Sequence, residues 1–283
     1  MTRAWVTRPG AAEQVAVELE RVSETLLWTL YHRAVEARRA DAVLDDPKAV
    51  ELVERIDYPF RERFGSGEGF SQWQALRAGC FDLVVARFLA QHPSGSVVAL
   101  GEGLETQFWR VDNGRVRWLT VDLPEVVELR RQLLPDEPRL RAIGCSALDP
   151  GWLGKVDGDP GVLVTAQGLL MYLSPEDARG LVGRCAAAFG GGQMVFDVVP
   201  RWLVERSRSG RLKTPTGYEP PAWSWGFDRR EEQRLRALPN VAELRSLSLP
   251  RGRGAVHGAL LPAAARIPML QRRLLSVLLA RFA

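Results

Sequence analysis

Gly101, Gly103 and Asp122 are the residues whose types and spacing point most directly to chemistry. An apolar run, Val97 to Leu100, stops at Gly101-Glu102-Gly103, and a second strand-like run stops at Asp122, 21 positions past Gly101. Glycines at a strand end let backbone approach a ligand, and an acid ending the next strand can accept from a pair of ribose hydroxyls. A dinucleotide fingerprint would carry a third glycine at position 106, where Thr106 stands. That glycine allows close helix–strand packing beside a pyrophosphate. Its absence suits an adenosine ligand with no pyrophosphate at the turn, such as S-adenosylmethionine. Two charge-assisted bonds from Asp122 to a ribose would contribute about 2–3 kcal/mol. Asp122 could also cap the helix that opens at Leu123-Pro124.

The elements that must hold these residues follow from apolar periodicity. Val15, Leu19, Val22, Leu26, Leu27, Leu30 and Ala34 predict a helix within 14–39, and Asp45-Asp46-Pro47 reads as a helix start. A further helix is expected over about Ser71–Gln91, so that the first 95 residues are helical. Strands then alternate with helices: strands at 97–100, 116–121, 140–143, 162–166 and 194–199, helices near 104–111, 125–134 and 175–189. Apolar runs without clean alternation suit parallel strands covered on both faces. Residues 201–228 break this rhythm with three prolines, Trp202, Tyr218, Trp223 and Trp225. They read either as a cover for the ligand cleft or as plain packing against a helix. The segments 243–249 and 270–282 are expected to add one or two strands and a helix.

Bulk composition narrows the class. The chain has 283 residues, 46% hydrophobic and 25% charged, with a net charge of +4 and only three lysines. Basic residues are scattered among 34 acids, so no nucleic-acid groove is expected. No apolar run approaches the roughly 20 residues needed to span a bilayer, so no membrane partner is expected either. Cys80, Cys145 and Cys185 are odd in number and far apart, as in a reduced, cytoplasmic protein. No H-x-x-x-H or C-x-x-C pattern suggests a metal site. His32, His92 and His257 do not cluster with acids in the sequence.

Four ordered motifs carry a resemblance: Val97–Phe108, Val121–Val126, Ser146–Trp152 and Gln167–Leu173. They resemble V-V-x-L-G-x-G-L-D-T-R-F, V-D-L-P-E-V, S-x-L-D-x-x-W and E-G-x-L-M-Y-L of the leucine carboxyl methyltransferase and polyketide O-methyltransferase family. Thr25–Ala34, Asp46-Pro47 and Ile56-Asp57-Tyr58 resemble its N-terminal helices. The resemblance implies an α/β fold: a Rossmann-like, mostly parallel sheet of about seven strands. It also implies an N-terminal helical cap over 1–95 in the same domain, a core over 96–283 and an insertion after the fifth strand. S-adenosyl-L-methionine would be the cofactor and S-adenosyl-L-homocysteine the product. The acceptor would be a carboxylate or phenolic hydroxyl of a small metabolite, in natural-product biosynthesis.

The resemblance also implies roles. Arg77 would grip the methionine carboxylate, its paired donors matching both oxygens. Gly101 and Gly103 would pass under the methionine portion, and Asp122 with Leu123 would hold the ribose and flank adenine. Ser146 and Ala147 would meet the adenine amine, and Gln167 would face the cationic methionine end. His32 and Tyr172 are the candidates at the reactive end. Three departures stand out: Glu105 and Gln107 replace the D and R of D-T-R, and Gln167 replaces the E of E-G. The lost charges at 107 and 167 leave open a second reading, a member that keeps the pocket only for cofactor or partner binding.

Overall fold

The computed structural model describes residues 15–16, 21–211 and 217–283. Short apolar repeats and acid–proline starts turn residues 21–91 into a helical layer: α1 (Arg21–Ala37), α2 (Pro47–Arg55), α3 (Phe60–Phe64) and α4 (Glu68–Gln91). Asp46 starts α2 as read from the sequence, its side chain accepting from Ala49 N at 3.1 Å. The layer is not wholly helical. A two-residue parallel ladder joins β1 (Val15–Ala16) to β2 (Ile56–Asp57). Helix α4 also begins three residues before the expected Ser71.

The alternating half gives β3 (Ser96–Leu100), α5 (Gln107–Val111), β4 (Arg117–Asp122), α6 (Pro124–Leu133) and β5 (Leu140–Gly144), then β6 (Val162–Ala166), α7 (Pro175–Ala188) and β7 (Gln193–Val198). After them come α8 (Arg201–Arg208), α9 (Arg229–Arg236), β8 (Val241–Leu247) and β9 (Ser276–Phe282). The seven-stranded sheet runs β5-β4-β3-β6-β7-β9-β8, with β9 antiparallel to both neighbours and the other pairs parallel. The 243–249 segment and the end of the 270–282 segment are therefore both strands. The helix expected with them lies between β8 and β9, where a π-helical stretch, Val256–Leu260, runs on into Leu261–Ala264, and a single turn, Pro268–Gln271, follows.

Both faces of the sheet are covered, which explains the unbroken apolar runs. Val98, Leu100, Val164 and Phe196 face α7, Trp152 and Trp225, whereas Val97, Ala99, Leu163 and Val195 face α4. A separate core joins α1, α2 and α3 to Val126, Leu129 and Leu133 of α6. The cap thus sits over the carboxyl ends of β3 and β4, where open α/β sheets bind ligands.

Candidate active site

Gly101 and Gly103 adopt φ of 58° and 56°, the left-handed region where a side chain is strained. A Cβ on Gly101 would lie 2.9 Å from Leu169 Cδ1, and one on Gly103 3.0 Å from Leu26 Cβ. The turn is tied to the next strand by Asp122. Gly103 N donates to its Oδ2 at 2.7 Å and Leu123 N to its Oδ1 at 2.8 Å. Asp122 is therefore not the side-chain cap suggested by the sequence; Leu123 is the capping position of α6, without a side-chain bond. Each Asp122 oxygen retains a lone pair for a further donor. Burial pushes its carboxyl up from the ordinary range, and the two backbone donors and Arg130 oppose this.

This turn borders a cavity of about 880 Å³. Single small-molecule sites span about 300–1,000 Å³, so the space is at the upper end, enough for a cofactor and an acceptor side by side. Arg77, Gly101, Gly103, Asp122, Leu123 and Ser146 all line it, as do Ala147, Gln167, His32 and Tyr172. Among the described residues of the 201–228 segment, Leu203, Pro220 and Trp223 reach the cavity. Trp225 enters the core below the sheet, and Trp202 is half exposed. That insertion therefore divides between cover and packing. Trp152 is a core residue, its Nε1 donating to Ala147 O at 3.1 Å. His92 and His257 lie off the cavity.

The cavity wall has a polar part and an aromatic part, which adjoin where Arg77 lies 5.4 Å over the Trp73 ring. In the polar part, Arg77 Nη1 meets Asp197 Oδ2 at 2.8 Å, and Gly168 N donates to Asp197 Oδ1 at 2.7 Å. Arg77 Nε is buried without a partner, so the guanidinium keeps donor capacity for an anion. Gln167 Nε2 donates to Glu105 Oε2 at 2.9 Å, and its Oε1 is likewise buried and unpartnered. In the aromatic part, Trp28 stacks on Phe70 at 4.8 Å and Phe70 on Trp73 at 5.3 Å, with Tyr172 and Trp223 also on the wall. Burial raises the Tyr172 hydroxyl pKa, with Trp223, Thr25 and Arg77 pulling against it.

His32 lies beside the stacked Trp28 and Phe70, edge-on to both. Its Nδ1 lies 3.3 Å from Gly67 O. A carbonyl only accepts, so Nδ1 carries the proton and Nε2 keeps its lone pair. Burial pulls the ring's pKa from 6.5 down to about 4, and the Gly67 contact opposes this weakly. The unfolded chain then binds more protons than the folded one between those values, so stability falls as pH drops from 6.5 towards 4. Urea unfolding across that window should show wild type losing about 3 kcal/mol more than His32→Gln. Equal pH slopes for the two proteins would mean that His32 titrates normally.

Sequence reasoning missed the ion-pair network beneath the turn. Arg33 pairs with Asp46 and Glu105, each at 3.2 Å, and donates to Leu104 O at 2.8 Å. Arg110 pairs with Asp46, Asp82 and Glu105 at 2.7–2.8 Å. Burial would raise Glu105, but Arg33 and Arg110 override it and hold the carboxyl at about 2. Gln107, where the family pattern has arginine, donates to Asp82 at 2.8 Å, and Arg110 on the same short helix supplies the cation. The available signal was an arginine in the apolar register of α1 and the i,i+3 spacing of Gln107 and Arg110.

The residues fit S-adenosylmethionine on two observations. Unpartnered buried atoms of both signs, Arg77 Nε and Gln167 Oε1, flank the glycine turn as an amino-acid zwitterion requires. Among the described residues, the charged ones on the wall are two arginines and four acids (Arg33, Arg77, Glu102, Glu105, Asp122 and Asp197), a balance that favours a net cation. Among the described residues, no group of three His, Cys, Asp or Glu could hold a metal ion. No described helix is long and apolar enough to cross a membrane.

A mostly parallel seven-stranded sheet, a glycine turn after its central strand and an acid ending the neighbouring strand define a Rossmann-like class I methyltransferase. Comparison with known proteins gives the family. Residues 27–144 match the family described as Leucine carboxyl methyltransferase. Tetracenomycin polyketide synthesis O-methyltransferase TcmP of Streptomyces glaucescens is 35% identical over 223 residues, 78% of this chain and 82% of that protein. The S-adenosyl-L-methionine-dependent methyltransferase dpfgK of Gibberella zeae is 29% identical over 64% of this chain and 67% of its own length. A DUF574 family protein from Streptomyces avermitilis shares the fold, with a TM-score of 0.56, 13% identity, and coverage of 90% of this chain and 97% of its own. The chain belongs to the leucine carboxyl methyltransferase family of S-adenosylmethionine-dependent enzymes.

Proposed function

We propose that this protein transfers a methyl group to an oxygen of a small metabolite, with a carboxylate as the preferred acceptor and a phenolic hydroxyl the second choice. One observation carries the choice: among the described residues the cavity wall holds no strong base, the open His32 lone pair being only weakly basic. Glu102, Glu105 and Asp197 are paired with arginines, Asp122 holds two backbone N–H groups, and His32 is held near pKa 4. A carboxylate is ionised at neutral pH and asks for no base, whereas a phenol near pKa 10 does. The family description and the polyketide pathway in the name of the Streptomyces relative support an acid acceptor from natural-product biosynthesis.

The bound cofactor supplies an activated methyl group on a sulfonium. In this reading Arg77 holds its carboxylate, Gly101 and Gly103 admit it to the turn, and Gln167 meets its cationic end. Asp122 accepts from the ribose, Leu123 flanks adenine, and Ser146 with Ala147 borders the adenine amine. Tyr172, Trp28, Phe70 and His32 shape the acceptor end and exclude water, so that orientation rather than proton transfer sets the rate.

The test pairs aromatic acids with phenols of the same skeleton, incubated with S-adenosylmethionine and followed by mass. A 14-dalton gain on the acids, reversed by mild alkaline hydrolysis as an ester would be, is the expected result. Methylation of the phenols alone, or of nothing despite tight cofactor binding, would reject the acid acceptor.

A further inference from the structure

Glu105 and Gln167 meet on the cavity wall, one from the segment before α5 and the other just past β6. A glutamine amide has two ends of nearly equal shape, and only its neighbours decide which faces a ligand. Here the neighbour is an acid: Gln167 Nε2 donates to Glu105 Oε2 at 2.9 Å, which leaves Oε1 buried and without a partner. Buried acceptors are rarely left unmet, so Oε1 stands ready for a donor arriving with the ligand. Glu105 is itself pinned, at 3.2 Å from Arg33 and 2.8 Å from Arg110. Those two arginines face three acids, Asp46, Asp82 and Glu105, so the network keeps a net negative charge behind the amide.

We propose that Glu105 is a positioning residue for cofactor binding: it orients the Gln167 amide so that Oε1 faces the ammonium end of the methionine portion and relays negative charge to it. The inference rests on the S-adenosylmethionine reading above. It assigns to the pair what a single carboxylate at 167 would do, with the acid moved to residue 105 and the amide as its extension. One consequence is counter-intuitive. Placing glutamate at 167 would set a second carboxylate within hydrogen-bond reach of the first, and two such groups do not readily ionise together. The acid at 167 should help only when the acid at 105 is removed.

Calorimetric titration with S-adenosylhomocysteine, beside melting curves of the unliganded proteins, tests this. Glu105→Gln and Gln167→Met should each lose about tenfold in affinity, the size expected for one charge-assisted bond. The double exchange, Glu105→Gln with Gln167→Glu, should return to within about threefold of wild type. A purely structural role for Glu105 would give no such rescue. Wild-type affinity in Glu105→Gln or Gln167→Met, or a double exchange no better than Glu105→Gln, overturns the proposal. Gln167→Met leaves the ion pairs of Glu105 untouched, so it decides the matter even if Glu105→Gln folds poorly. A wild-type protein that binds no S-adenosylhomocysteine would instead reject the cofactor assignment itself.

Discussion

Asp122→Asn is expected to weaken S-adenosylhomocysteine binding at least a hundredfold. Asp122 accepts from Gly103 N and Leu123 N through different oxygens, so it shapes the glycine turn before any ligand arrives. Asparagine keeps one oxygen and turns an NH₂ group on one of those two backbone donors. The turn loses a bond, and the ribose loses a charged acceptor. Charge-assisted bonds contribute about 1.5–3 kcal/mol each, and a hundredfold loss corresponds to about 2.7 kcal/mol. Isothermal titration reads the loss directly. An affinity within threefold of wild type would show that the ribose is held elsewhere.

A second large effect is predicted for Asp46, which does not itself line the cavity. Asp46 is fully buried, caps α2 through Ala49 N, accepts from the Thr106 hydroxyl at 2.7 Å and pairs with Arg33 and Arg110. Asp46→Ala uncaps the helix and leaves two buried arginines short of a counter-charge. Breaking a buried pair from one side costs about 3–5 kcal/mol, a large part of a typical stability of roughly 5–15 kcal/mol. Urea unfolding should therefore show a midpoint shift of that size with an unchanged slope. Asp46→Asn, which keeps an acceptor for the cap, should fall between wild type and alanine. A loss below about 1 kcal/mol for Asp46→Ala would mean that the arginines find other partners.

The fold was readable wherever one residue type had one physical use. Unbroken apolar runs such as Val162–Ala166 had to be strands covered on both faces, and Pro175 after Ser174 had to open a helix. The glycine turn and Asp122 were readable because chain spacing alone brings them together. The Arg33–Asp46–Arg110–Glu105 network was not, since its members come from α1, the start of α2 and the stretch that runs into α5, and no local pattern joins them. Nor could the sequence show that Gln107 and Gln167 each donate to a nearby acid, which makes their lost charges less severe than they looked. The aromatic segment stayed ambiguous because Trp223 and Trp225, two positions apart, serve opposite masters: cavity wall and core.

Helix α1 has a consequence for how this enzyme could be re-engineered. Leu26 closes over Gly103 and Arg33 grips Leu104 O, while Thr25, Trp28 and His32 of the same helix face the rest of the cavity. Any mutation that tilts the helix to admit a bulkier acceptor would also disturb the donor's seat. Broadening the range of accepted molecules is therefore better attempted at Pro220 and Trp223, whose backbone carries no bond to the glycine turn. Evolution of new acceptor specificity in this chain would meet the same mechanical coupling.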